Sequence, residues 1–258
     1  MKVKKTVPQI IRPNWSVPKN IQALSTTRQG GVSQAPWNSL NLATHVNDNL
    51  GDVKKNRDRL KQHYALPNEP TWLEQVHSNK IVRLTTENHQ QHFKADAAYT
   101  TEKNIVCCVM TADCLPILLC NKQATWVAAV HAGWKGIANG IMKSTLSLYE
   151  KDLGGNLEDL QVWIGPAISG KSYEVGEEVK SAFIHQDPIL NKAFILNEAN
   201  HYFLNSTYAA QLQLIESGLK PKQITAPDFC TFKDEQRFYS YRRDGLNTGR
   251  MASMLWLS

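Results

Sequence analysis

Three residues in this chain have side chains that suit a borderline-soft metal ion: His77, Cys114 and His131. Cys114 lies in Met110-Thr111-Ala112-Asp113-Cys114-Leu115-Pro116, just after the apolar, β-prone run Ile105 to Met110. His131 ends the next apolar run and precedes Ala132-Gly133-Trp134-Lys135-Gly136. Strands that follow one another in sequence usually neighbour one another in space, so two strand ends meeting at one edge would bring this thiol and this imidazole together. His77 stands in Trp72-Leu73-Glu74-Gln75-Val76-His77-Ser78-Asn79, ahead of a turn-prone Ser-Asn pair. Two neutral imidazoles and a thiolate are a good set for Zn²⁺, and three protein ligands leave a fourth position for water or substrate. There the ion makes a strong nucleophile at neutral pH. The donors are dispersed, however, and match no short local zinc motif. Read one at a time, Cys114 also fits a small core residue, and a Cys114–His131 dyad needs no metal.

The elements that must position these residues alternate irregularly. Strands are expected over Ile21–Thr27, Ile105–Met110, Pro116–Cys120, Trp126–Val130, Gln161–Ile164, Phe238–Tyr241 and Met251–Leu257. Helices are expected from Asp52, as N-cap, to Tyr64, through Ile137, Ile141, Thr145 and Leu148, over Glu174–Ile184, and from an Asn205 or Ser206 cap to Glu216 with Gly218 after it. Without a regular βαβ rhythm, this pattern predicts α+β layers rather than a doubly wound parallel sheet.

A chain of 258 residues with 42% hydrophobic and 20% charged residues can bury one large core, and a single domain over residues 1–258 is expected. The net charge of +6 comes from 29 Lys and Arg against 23 Asp and Glu. The basic residues cluster only at Lys2/Lys4/Lys5, Lys54/Lys55/Arg57/Arg59 and Arg242/Arg243, with no stripe interleaved with aromatics. That argues against a nucleic-acid partner and suits a small phosphate-bearing or phosphate-using substrate. No apolar run resembles a signal peptide or a membrane span, so no membrane partner is expected. Five cysteines, two of them adjacent, suggest no disulfide framework and point to the reducing cytoplasm. Monomer and homodimer are equally compatible with the sequence. Cys107, Cys108, Cys120 and Cys230 read as core; His45, His63, His89, His92, His185 and His201 read as solvated or structural.

Longer motifs add to this. Leu73-Glu74-Gln75-Val76-His77, Ala95-Asp96-Ala97, Thr111 to Pro116 and Val130 to Gly136 closely resemble the laccase-domain family, also called multicopper polyphenol oxidoreductases and purine nucleoside phosphorylases. Thr26-Thr27-Arg28-Gln29-Gly30-Gly31-Val32-Ser33, Asn41 to Val46, Ile164-Gly165-Pro166-Ala167-Ile168, Tyr173-Glu174-Val175-Gly176, Tyr241-Arg242-Arg243-Asp244 and Thr248 to Ala252 match it in the same order. The resemblance implies a layered α/β/β/α sandwich similar to that of Cys-His deamidating toxins, with metal ligands at His77, Cys114 and His131. It also implies phosphorolysis of adenosine, inosine, guanosine and methylthioadenosine, deamination of adenosine, and, under the older label, copper-dependent phenol oxidation. Zn²⁺ is the expected cofactor, with Cu²⁺ compatible with the same donors. Only 8 histidines, none in an HxH pair, provide no trinuclear copper cluster beside a His₂Cys site.

Within that reading, deamination needs a proton shuttle at C6 of adenine. Asp113 is the candidate, with Glu74 behind it; the competing reading of Asp113 is a turn cap that faces away. Phosphorolysis needs cations for phosphate, for which Arg is well shaped. Arg28 beside Gly30-Gly31, where backbone can approach an anion, ranks first, followed by Lys135, Arg242 and Arg250. The competing activities are a metal-free Cys114/His131 hydrolase or deamidase, a non-enzymatic metal binder and a copper polyphenol oxidase.

Overall fold

A computed structural model describes residues 7–258, so the Lys2/Lys4/Lys5 cluster lies outside the described residues. In chain order the elements are β1 (Ile10–Ile11), β2 (Ile21–Thr26), α1 (Leu50–His63), β3 (Thr71–Trp72), β4 (Ile81–Arg83), β5 (Ala97–Thr100), β6 (Cys107–Thr111), β7 (Leu115–Asn121), β8 (Val127–Ala132), α2 (Trp134–Ala138), α3 (Ile141–Ser147), β9 (Leu160–Ile164), β10 (Glu174–Val175), α4 (Glu177–Gln186), β11 (Phe194–Leu196), β12 (Tyr202–Leu204), α5 (Ser206–Glu216), β13 (Ile224–Thr225), α6 (Tyr241–Asp244) and β14 (Met251–Leu257).

Two mixed sheets form the centre, ordered β13-β9-β7-β8-β5-β4 and β1-β2-β14-β6-β3; a small antiparallel sheet, β10-β12-β11, lies outside them. Side chains alternate across a strand, and that alternation sorts the core into layers. On β7, Leu118 and Cys120 face the second sheet and meet Ala23, Cys107, Val109 and Leu255, while Ile117 and Leu119 face Ile137, Ile141, Phe183 and Leu214 from the helical side. On β6, Cys108 and Met110 turn the other way, toward Leu40, Leu42 and Leu60. Every residue of β7 and β8 is therefore buried, which explains their unbroken apolar runs. The layering is α/β/β/α, as the motifs implied.

Residues 112–114 carry the chain from one sheet to the other, because β6 ends at Thr111 and β7 begins at Leu115 in the opposite sheet. The crossing is tight: Asp113 adopts φ 90°, in the left-handed region that Asp tolerates better than most residues.

Several expected boundaries move. Helix α1 is capped by Asn49, whose side chain accepts from Gly51 N and Asp52 N, rather than by Asp52. The helix expected through Leu148 is broken into α2 and α3 at Gly140, which has φ 72°. Glu174 and Val175 pair with β12 instead of starting a helix, and α4 begins beyond Gly176. Phe238–Tyr241 is not a strand: Arg243 donates to the carbonyls of Thr231, Phe232 and Phe238, so side-chain donors take the place of a ladder there.

Leu118 is fully buried between the two sheets. Leu118→Ala is expected to cost about 2–5 kcal/mol, read as a lower denaturation midpoint in urea. A loss below about 0.5 kcal/mol would contradict close packing at this layer.

Candidate functional site

The antiparallel register of β7 and β8 sets Leu115 opposite Ala132 and Pro116 opposite His131. Cys114, one residue before β7, is thereby brought beside His131, so the pairing inferred from strand order holds. His77 reaches the same point from the loop between β3 and β4, where it adopts φ 59°. One donor atom from each of the three residues lies within 4.8 Å of the others. His77 Nε2 is 3.9 Å from Cys114 Sγ, and the two imidazoles stand edge to face with centroids 4.9 Å apart.

Asp96, immediately before β5, is fully buried and hydrogen-bonds to both histidines, at the backbone of His77 and the ring of His131. Its Oδ1 accepts from His77 N at 2.9 Å and meets His131 Nδ1 at 2.8 Å. Its Oδ2 accepts from Val76 N, Ser78 N and Ser78 Oγ. An ionised carboxylate only accepts, so His131 Nδ1 carries the proton and Nε2 is left for the thiol side. Burial works to raise the Asp96 pKa, but the hydrogen bonds from His131 and Ser78 prevail and hold it at about 2. A depressed acid of this kind stabilises the fold fully above its ordinary 3.8, and that contribution fades as the pH falls toward 2.

The thiol and the imidazole influence each other. Burial opposes ionisation of Cys114, yet the positive charge of His131 lowers its pKa below the usual thiol range. Burial likewise opposes protonation of His131, and the Cys114 thiolate together with Asp96 raises it. Gly133 completes the local geometry: a Cβ there would stand 2.5 Å from His77 Cδ2 and 3.2 Å from Cys114 Sγ. A side chain at residue 133 would therefore fill the space where the three donors converge. Two imidazole nitrogens and a thiol favoured as thiolate, all within one metal's reach, fit a zinc-type ion.

The donors open into a cavity of about 480 Å³, within the range of small-molecule sites. His45, Met110, Trp134, Tyr173, Arg242 and Arg250 are among its walls. Arg242 Nη1 donates to Glu174 O, and its guanidinium lies 5.0 Å from the Tyr173 ring centroid. Arg250 Nη1 donates to Thr248 O and Gly249 O; burial lowers its pKa, opposed by Cys114 and Asp113.

The other expected site residues are placed differently. Arg28 lies outside the cavity: its guanidinium donates to the carbonyls of Asn38 and Glu235 and stacks 4.6 Å from the Tyr239 ring centroid. Its neighbours Gly30 and Gly31 pack against the backbones of Val7 and Ser39, which accounts for them without an anion. Lys135 is exposed on α2, over Trp134, and does not line the cavity. Asp113 lines it, but its carboxylate accepts from Thr231 Oγ1, Ser240 Oγ and Arg242 N, fastening the 230s and 240s loops to the sheet crossing. Glu74 is paired on the surface with His92 and Lys94. Sequence reasoning gave no role to Asp96 or His45. The hydrogen bonds of Asp96 span about twenty to thirty-five residues, and only Ala95-Asp96-Ala97 as a motif hinted at it. Cys230, expected in the core, is half-buried, and its Sγ accepts from Ser169 N and Ser169 Oγ.

A family model described as multi-copper polyphenol oxidoreductase laccase matches residues 22–258. Purine nucleoside phosphorylase YfiH of Escherichia coli is 43% identical over 249 residues, covering 96% of this chain and 99% of that protein. Purine nucleoside phosphorylase YlmD of Bacillus subtilis is 33% identical over 247 residues, covering 92% and 88%. A crystal structure of a Neisseria meningitidis protein superposes with a TM-score of 0.89 at 37% identity, covering 97% of this chain and 99% of that one.

The thiol environments differ enough to test. Burial raises Cys107 and Cys108 and puts Cys120 at about 12, whereas Cys114 is lowered. In metal-free protein at pH 7, iodoacetamide should label Cys114 well before those three, as read by peptide mass spectrometry. Its labelling rate should already approach its plateau at neutral pH; a rate that rises only above pH 8 would contradict a thiolate stabilised by His131.

Proposed function

The chain belongs to the multi-copper polyphenol oxidoreductase laccase family, and we propose that it is a zinc-dependent purine nucleoside phosphorylase. Adenosine, inosine, guanosine and methylthioadenosine are its substrates in this reading, with adenosine deamination as a second activity of the same cavity. The names of the full-length relatives support phosphorolysis. The observation that carries the reading is one cavity holding both the His77–Cys114–His131 donors and two arginines, Arg242 and Arg250. Five free thiols suit the reducing cytoplasm.

Zn²⁺ would be held by His77, Cys114 and His131. When bound, it supplies Lewis-acid polarisation of an oxygen on substrate or water. The protein's own groups do the rest. Arg242 and Arg250 bind phosphate and hold it against the ribose. A phosphate oxygen then attacks C1′ as the bond to the purine nitrogen breaks, and the base leaves with that electron pair. The walls formed by Trp134, Tyr173 and Met110 exclude water and hold the base. Burial pushes the Tyr173 pKa up, with Cys114 adding to the effect, so its hydroxyl stays a hydrogen-bond donor. Asp113 acts in this reading by fixing the backbone of Arg242.

Oxidation of phenols at a multicopper centre needs further copper ligands beyond one His₂Cys set. Among the described residues, His77, Cys114 and His131 are the one grouping of three or more His, Cys, Asp or Glu donors, which favours single-ion transfer chemistry. A second reading rests on the order Cys114–His131–Asp96, which is that of a nucleophile, its base and an orienting carboxylate. That metal-free hydrolase has no use for His77.

The test is metal analysis with adenosine turnover, with and without phosphate, on protein purified without added metal. Stoichiometric zinc and adenine formed only with phosphate are expected, both lost in Cys114→Ala and His77→Ala. Arg250→Ala should raise the phosphate KM roughly tenfold or more, as expected for a lost charged hydrogen bond, whereas Arg28→Ala should leave it unchanged. Inosine as the sole product would make the enzyme a deaminase instead. Full activity in metal-free His77→Ala would transfer the assignment to the Cys114–His131–Asp96 hydrolase.

A further inference from the structure

We propose that Asp96 is the positioning residue of the metal centre, holding both histidines in register with Cys114 through one carboxylate. The inference rests on the metal reading of the three donors. Asp96 does not line the cavity and so acts only through other residues. Among the described residues its one titratable partner is His131. The rest of its charge is compensated by four donors on three consecutive residues, Val76, His77 and Ser78. That wrapping of the loop around the carboxylate accompanies the left-handed conformation of His77, a backbone state that a residue with a Cβ adopts only when its surroundings stabilise it.

The same carboxylate fixes the other histidine. Ala97 pairs with Val130 across β5 and β8, and His131 N donates to Asp96 O at 2.7 Å. The sheet thus sets the two residues side by side, and Oδ1 locks the ring through Nδ1. Only Nε2 then remains to bind an ion. A carboxylate that orients a ligating imidazole in this way raises its basicity and fixes its tautomer. Here it also shapes the loop that delivers the second imidazole, so one substitution should disturb two ligands.

The test uses the full chain loaded with Zn²⁺ or Co²⁺. Asp96→Asn keeps the size but replaces one accepting oxygen with a donor. Its zinc affinity, measured by chelator competition, should fall about 10–100-fold, and the visible absorption of the cobalt form should change in position and intensity. Asn121→Ala is the control. It removes acceptors for Thr125 N and Trp126 N at the remote β7–β8 turn; it should lower stability and leave metal affinity and the cobalt spectrum unaltered. Nitrogen-15 NMR of zinc-loaded wild type provides a reading without mutation, with a proton on His131 Nδ1 and none on Nε2.

Wild-type affinity and spectrum in Asp96→Asn would overturn the proposal, as would an equal loss of affinity in both variants. If Asp96→Asn does not fold, the tautomer decides, and a metal-bound or unprotonated Nδ1 overturns it. A wild-type protein that binds neither ion would instead remove the metal reading, and this inference with it.

Discussion

A carboxylate taken wholly out of water has to be met by hydrogen bonds or by a charge, because the uncompensated burial of an ion costs several kcal/mol. Asp96 meets that requirement with donors from two separate places in the chain, the loop of residues 76–78 and the end of β8. Each hydrogen bond to a charged group contributes on the order of 1.5–3 kcal/mol, so the set outweighs desolvation and the residue remains an anion. Three features of the site accompany that compensation: the proton on His131 Nδ1, the turn that presents His77, and the raised pKa of His131, whose positive charge favours a Cys114 thiolate.

The sandwich makes this arrangement possible. Cys114 stands where the chain crosses between the two central sheets, at the edge of the apolar seam rather than within it. Its environment is consequently half-open, whereas Cys107, Cys108 and Cys120, on neighbouring strands, are sealed into the core. Asp113, one residue earlier, also lines the cavity, and its carboxylate anchors the segments at Thr231, Ser240 and Arg242. The same sharp crossing therefore points a thiol into the cavity and a carboxylate toward the loops that wall it.

The positive charge of the chain is used in two ways. Arg28, Arg57 and Arg243 donate to backbone carbonyls and support irregular segments. Arg242 and Arg250 also donate to carbonyls, yet they line the cavity. Nothing in local sequence separates these groups: each is an arginine in a loop or on a helix, and Gly30-Gly31 beside Arg28 looked the better anion cradle. The difference lies in which residues face the cavity once the sheets have packed.

The amino-acid sequence by itself determined the class of the fold, since runs buried on both faces and helices of ordinary period leave few alternatives to layered α+β packing. It also singled out His77, Cys114 and His131 as candidate donors, through residue type, through strand order for Cys114 and His131, and through the family motifs that contain all three. Tertiary structure alone decided that Asp96 serves both histidines, that Arg28 and Lys135 stand apart from the cavity, and that His45 and Tyr173 face it. The physical reason is range. Helix caps and turns act over a few residues, whereas strand pairing, the hydrogen bonds of Asp96 and the walls of the cavity join residues tens to more than a hundred positions apart, which become neighbours only when the strands pair and the two sheets pack.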